Sequence, residues 1–335
     1  MKFDVGILGN QPVPMIVRQA QLAESLGYDT VWIADTHLVC RELWVTLTAC
    51  VLATSRIRLG PGVTVPHTRH ISVTASAMAT LHEMAEGRLV LGIGTGGSSA
   101  GTMGLSVQQV ARVATLEAMT GSLRRLLGRG TMRFDSGSEG GIAWLDRPRP
   151  VPIYVAGSGP RMLAAAGRLG DGAIVYSSVS PSILGPALRC VEEGALASGR
   201  SLDDLDVAVW APTSLGRDRA LARDHVRGRV ASALRHAFPV EFSAEDRAAI
   251  QRVREQYDSF QHATAGSTHR TLVPDRFVDL MALAGTPGEV VEQVRGIATL
   301  PAIDRVIVLP QVPGEGFIER ESILQLFAEE VIARV

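Results

Sequence analysis

Eight short apolar runs, separated by stretches of helical periodicity, constrain the fold of this chain more than any other feature. The runs occupy residues 3–8, 30–34, 57–63, 89–93, 153–156, 173–176, 207–210 and 305–309. Amphipathic segments at 15–26, 43–54, 71–84, 161–169 and 183–197 lie between them. Short buried strands joined by crossover helices build a parallel sheet. Eight such units close into a barrel more naturally than into an open sheet. The expected fold is therefore an α/β (β/α)₈ TIM barrel. At 335 residues the chain exceeds the usual single-domain length, but one barrel with insertions absorbs it, so residues 1–335 read as one domain. With 46% apolar residues and only 5% aromatic, its core must be built from Ala, Val, Leu and Ile.

Two segments break the rhythm. Residues 131–144 are Gly-rich with short apolar patches and read as a hairpin or loop before strand five. Residues 217–279, after strand seven, are helical and highly charged, with a polar interruption at 262–271. A long insertion of this kind is expected to act as a lid or binding segment.

The formal net charge of −1 provides no basic face for a phosphate backbone, which argues against nucleic-acid binding. No apolar run reaches membrane-spanning length, and Met1 leads directly into the first strand without a signal-peptide pattern, so the expected location is cytoplasmic, away from any membrane. Cys40, Cys50 and Cys190 have neither disulfide-framework nor zinc-ligand spacing and read as reduced thiols. The pair His67 and His70 lacks a nearby carboxylate, so no metal site is expected.

Catalytic groups in a barrel come from the C-terminal strand ends. Here those ends carry Gly9 and Asn10; Asp35, Thr36 and His37; Gly62, Val63 and Thr64; Thr95, Gly96 and Gly97; Gly157, Ser158, Gly159 and Pro160; and Tyr176. The Gly157-Ser-Gly-Pro160 turn exposes backbone N–H groups before a helix that Pro160 suits as first residue, a geometry that holds phosphate. A turn rich in Gly for steric reasons alone would look similar. The adjacent Thr95-Gly-Gly97 turn repeats the chemistry, and the two together favour phosphate. Gly92 to Gly97 only superficially resembles a dinucleotide fingerprint: no suitable acidic residue ends a second strand, and Glu117 falls in a helical stretch.

His37 and Asp35 are the candidate catalytic pair, an imidazole to meet a cofactor ring or move a proton and a carboxylate to orient it. The plainer reading makes Asp35 a cap and His37 a satisfied loop residue. His262 and His269, in the polar break of the insertion, are candidate substrate contacts together with Asn10 and Trp44. His225 and His236 lie in the same insertion. No nucleophile elbow is present, which argues against covalent hydrolysis.

These residues together resemble the bacterial luciferase-like superfamily, in the branch related to methylene-tetrahydromethanopterin reductase. The resemblance rests on Gly27-Tyr-Asp-Thr-Val-Trp-Ile-Ala-Asp35, Thr54-Ser-Arg-Ile-Arg-Leu-Gly-Pro-Gly-Val-Thr64, Gly87-Arg-Leu-Val-Leu-Gly-Ile-Gly-Thr-Gly96, Val155-Ala-Gly-Ser-Gly-Pro160 and Ala284-Gly-Thr-Pro-Gly-Glu289. It implies a barrel that binds FMN or the deazaflavin F-420, with phosphate at the strand-four and strand-five turns. It also implies a non-prolyl cis peptide at Gly62-Val63 backing the ring, and a ring-proximal role for His37. Two departures stand out: the family's Asp-His pair is spread into Asp35-Thr36-His37, and Gly97 and Ser98 occupy a place where relatives often carry an acid. The implied function is an oxidoreductase that moves a hydride between F-420 or a flavin and a small organic substrate. The alternatives are an FMN-dependent monooxygenase using oxygen, and a non-redox or non-catalytic flavin-binding barrel. A homodimer is expected.

Overall fold

The computed structural model describes residues 1–85, 87–105, 113–134, 136–176, 178–261, 266–312 and 317–335. Eight parallel strands form the barrel: β1 (Lys2–Ile7), β2 (Thr30–Ile33), β3 (Arg58–Pro61), β4 (Leu91–Ile93), β7 (Ile153–Gly157), β8 (Gly172–Val175), β9 (Asp206–Leu215) and β11 (Arg305–Pro310). They are hydrogen-bonded in the order β3-β2-β1-β11-β9-β8-β7-β4. The ring closes between β3 and β4 through two bridges, Leu59 with Leu89 and Thr64 with Ile93. Between those bridges the Gly62-Val63 peptide is cis, at the bond expected from sequence.

β9 runs five residues beyond the strand expected at 207–210. The reason is an additional short strand, β10 (Leu283–Gly285), which pairs with Thr213–Leu215 as the chain returns from the insertion. β5 (Met132–Arg133) and β6 (Glu139–Gly140) form an antiparallel hairpin within residues 131–144. The insertion after β9 contains the helices Arg219–Leu234, Ala244–Gln256 and Asp275–Met281. Its apolar faces make a small core of their own around Val226, Val230, Leu234, Ile250, Val253 and Phe277.

The barrel lumen is packed, as expected for this fold. Leu8, Trp32, Val90, Tyr154, Ile174, Trp210, Ile307 and Leu309 fill it. Room for the two indoles comes from missing side chains: a Cβ on Gly62 would lie 2.7 Å from Trp32 and 3.0 Å from Trp210. The N-terminal end of the lumen is sealed by charge. Arg305, fully buried, donates to Asp4, Asp29 and Asp206, and Asp4 also accepts from the Trp32 indole at 2.9 Å. Among the described residues that end of the lumen is closed by charge, and the lumen opens at its C-terminal end.

Candidate active site

A cavity opens at the C-terminal strand ends. Its floor and sides are apolar, from Leu8, Val63, Ala156, Ile174, Trp210 and Leu309. Small polar turns line one flank: Thr95, Gly96, Gly97, Ser98 and Ser99 after β4, and Gly157 with Ser158 at the end of β7. Tyr176 follows β8, and Arg229, Ser232 and His236 descend from the insertion.

The two turns are compact because side chains are absent from them. A Cβ on Gly94 would lie 2.8 Å from the Val63 side chain, and one on Gly96, whose φ is +63°, would lie 2.1 Å from Val65. Gly96 precedes a one-and-a-half-turn helix at Gly97–Thr102, and Gly159 precedes the helix Pro160–Leu169, with proline at its start. An apolar slot beside two N–H-rich turns suits a planar ring carrying a phosphate.

Asp35 is held rigidly at the cavity wall. Arg69 donates to both of its carboxylate oxygens, at 2.6 and 3.2 Å, and the Thr64 hydroxyl donates at 2.8 Å. Arg69 also reaches Glu42 at 2.8 Å, which caps the helix Leu43–Ala53 through the Val45 N–H. The carboxylate is thus fully engaged as an acceptor and fixes the chain entering the turn after β2. From that turn Thr36 joins the lining of the cavity, and His37 is not among the lining residues.

Among the comparisons with known proteins, a family model described as luciferase-like monooxygenase matches residues 1–302. The chain belongs to this luciferase-like family. A 5,10-methylenetetrahydromethanopterin reductase of Methanolobus tindarius is 29% identical, across 99% of this chain and 100% of its own length. An F420-dependent glucose-6-phosphate dehydrogenase of Nakamurella multipartita is 32% identical, across 94% of this chain and 91% of its own. Among solved structures, the coenzyme F420-dependent tetrahydromethanopterin reductase of Methanopyrus kandleri superposes with a TM-score of 0.80 at 25% identity, covering 99% of this chain and 98% of that one.

The luciferase-like barrel brings most of the residues singled out in the sequence to one cavity. Asp35, Gly62, Val63, Thr95, Gly96, Gly97, Gly157, Ser158 and Tyr176 line it. Thr64 is tied to the wall through its bond to Asp35, and Gly159 and Pro160 follow Ser158 as the cap and first residue of the helix Pro160–Leu169. His37 lies off the wall, its Nδ1 buried without a hydrogen-bond partner and its ring near His67, whose own pKa is lowered by burial and by His37.

The substrate candidates are dispersed. Asn10 is tied to Arg41 at 2.7 Å and Arg320 at 3.0 Å, away from the lining. Trp44 sits in a separate outer groove with Phe134, Ile142 and Trp144 of the hairpin segment. His269 is 1% exposed and stacks on Tyr257 with centroids 4.3 Å apart, while His262 lies outside the described residues. Among the described residues no cluster of three metal-ligating side chains occurs, and no helix is long and apolar enough to cross a membrane.

The luciferase-like cavity also contains residues that sequence reasoning did not pick as ligands: Trp210, Arg229, Ser232 and His236. The last three, with His225, recur at i, i+4, i+7 and i+11, the spacing of one helical face. His225 anchors that face to β9 through Ser214 at 3.0 Å. His236 packs edge-to-face on Tyr176 at 5.4 Å, and burial followed by the Arg235 and Arg254 charges pushes its pKa down to about 3, leaving the imidazole neutral. Within the insertion Arg235 lies 3.8 Å from the centre of the Tyr257 ring, and it ties the insertion to the turn after β4 by donating to Ser98 at 3.4 Å.

Proposed function

We propose that this chain is a cytoplasmic oxidoreductase that moves a hydride between coenzyme F420 and a small organic substrate at the barrel mouth. The observation that carries the reading is the cavity itself, an apolar slot flanked by Gly- and Ser-rich turns on neighbouring strands β4 and β7. F420 is favoured over FMN because a full-length relative, at 32% identity, is named F420-dependent. Bound there, the cofactor would supply the hydride chemistry, and the protein positions and insulates it. Val63 and Gly62 would back the ring, and the N–H groups of Thr95–Gly97 and of Gly157–Gly159 would hold the phosphate. Trp210 and Tyr176 exclude water from one side. Asp35, held by Arg69, keeps Thr36 and Thr64 in place. Arg229, Ser232 and His236 face the space left for substrate, in preference to Asn10, Trp44 and His269.

The assay is anaerobic turnover with oxidised F420 and a panel of alcohols, aldehydes and reduced pterins. Bleaching of the deazaflavin by one of them is expected; turnover only with reduced FMN and oxygen uptake would instead establish a monooxygenase. A homodimer is part of the proposal, supported by Val45 (65% exposed), Leu52 (73%) and Val73 (52%) on the adjacent helices Leu43–Ala53 and Ile71–Met84. Sedimentation equilibrium at twice the chain mass is the expected result.

A further inference from the structure

His236 is the imidazole among the described residues lining the cavity, and it is fixed there without use of its ring nitrogens. It follows Arg235, the C-cap of the helix Arg219–Leu234. Its backbone N–H donates to the Ala233 carbonyl at 3.1 Å, and its carbonyl accepts from the Arg254 guanidinium at 2.6 Å. Arg254 lies on the helix Ala244–Gln256, so two helices of the insertion set its position. The ring packs edge-to-face on Tyr176 at 5.4 Å, and Tyr176 packs edge-to-face on Trp210 of β9 at 6.4 Å. These contacts tie the imidazole to the chain following β8 and, through Tyr176, to β9. Among the described residues neither ring nitrogen takes part in a hydrogen bond, and neither is sealed from contact as both nitrogens of His67 and of His269 are.

The side of the cavity matters as much as the residue. In the ring order β8 stands halfway round from β2, and β9 halfway round from β3, which the Gly62-Val63 peptide follows. A planar cofactor backed by Val63 therefore turns its free face toward the wall built by Tyr176, Trp210 and His236, with the substrate between. Burial, followed by the Arg235 and Arg254 charges, keeps His236 neutral, and a neutral imidazole carries one N–H donor and one acceptor. A hydride reaction between an alcohol and a carbonyl asks for this combination in the group that holds the oxygen. That group must accept from the hydroxyl on one side of the reaction and donate to the carbonyl on the other; a carboxylate only accepts and a guanidinium only donates. We propose that a ring nitrogen of His236 holds the reacting oxygen of the substrate, and that the substrate is an uncharged alcohol or its carbonyl counterpart. This rests on the reading of the cavity as an F420 site. A neutral imidazole also orients and polarises a carbonyl without giving up its proton, so no charge is created on the ring.

The test is equilibrium binding of isobutyramide, an uncharged carbonyl compound that resists reduction, to the full chain saturated with F420. Binding to the wild type is expected, with at least about a five-fold loss in His236→Phe, which keeps a ring and removes both nitrogens, and partial retention in His236→Gln. Tyr176→Phe keeps the aromatic packing and lacks the hydroxyl, so its affinity should stay within about two-fold of wild type. Circular dichroism melts check that the variants are folded. In the chain labelled with nitrogen-15 histidine, the ring resonances absent from His236→Gln should shift when isobutyramide is added, with or without F420. No binding to the wild type, unchanged affinity in His236→Phe, unmoved His236 resonances, or a loss in Tyr176→Phe equal to that in His236→Phe would each overturn the proposal. Tighter binding of isobutyrate than of isobutyramide would overturn it as well. Failure of the wild-type chain to bind F420 would overturn the cofactor reading instead, while the His236 resonances of the cofactor-free chain still decide the proposal.

Discussion

At the scale of single residues, the site depends on how buried charge is satisfied. The Asp35 side chain is 2% exposed and Arg69 is its counter-ion, so removing the guanidinium strands a carboxylate in a desolvated wall. Arg69→Met is expected to lower unfolding free energy by about 3 kcal/mol and to weaken cofactor binding; Asp35→Asn in the same chain should restore much of the stability, which a urea double-mutant cycle measures. His269 makes the opposite case. Burial, then the Arg235 charge, lowers its pKa from 6.5 to about 4. The unfolded chain takes up a proton near pH 6.5 that the folded chain refuses until about 4. Its contribution is therefore complete above 6.5 and is lost as the pH falls toward 4, at no more than about 1.4 kcal/mol per pH unit. Unfolding at pH 7.5 and 5.0 should show a smaller difference in His269→Asn than in wild type.

At the scale of elements, the insertion is a lid only if its latch holds it over the mouth. Tyr257 is sandwiched between Arg235 and His269, and Arg235 in turn reaches Ser98 in the turn after β4. Tyr257→Ala removes both stacks, and limited proteolysis should then cut within 217–279 several-fold faster, with the barrel fragment surviving. The element scale also marks how far sequence could be read. The barrel strands were legible because most are short buried apolar runs, with β3 (Arg58–Pro61) visible only as part of the longer run at 57–63, and the phosphate turns because Gly and Ser concentrate at strand ends. β10 was not, since three residues carry too little periodicity to register. Arg229, Ser232 and His236 look like any polar helical face until the insertion is folded across the cavity. His37 was attractive by type and place, but the turn after β2 presents Thr36 to the cavity, and one residue of phase decides which side chain faces in.

At the scale of the whole molecule, the barrel is closed at one end and functional at the other. Arg305 seals the N-terminal end by holding Asp4, Asp29 and Asp206 together from three strand starts, with no exposure of its own. Arg305→Met leaves these carboxylates facing one another and should cost about 3–5 kcal/mol in a denaturant titration, while cofactor affinity in the surviving folded protein changes little because the site lies at the opposite end. The central claim is that the C-terminal cavity holds the cofactor ring, and Ala156, small and directly on its floor, allows the most direct measurement. Equilibrium titration with F420 should give one cofactor per chain for wild type and at least a hundred-fold weaker binding for Ala156→Trp with an unchanged melting temperature; equal affinity in the two proteins would contradict it.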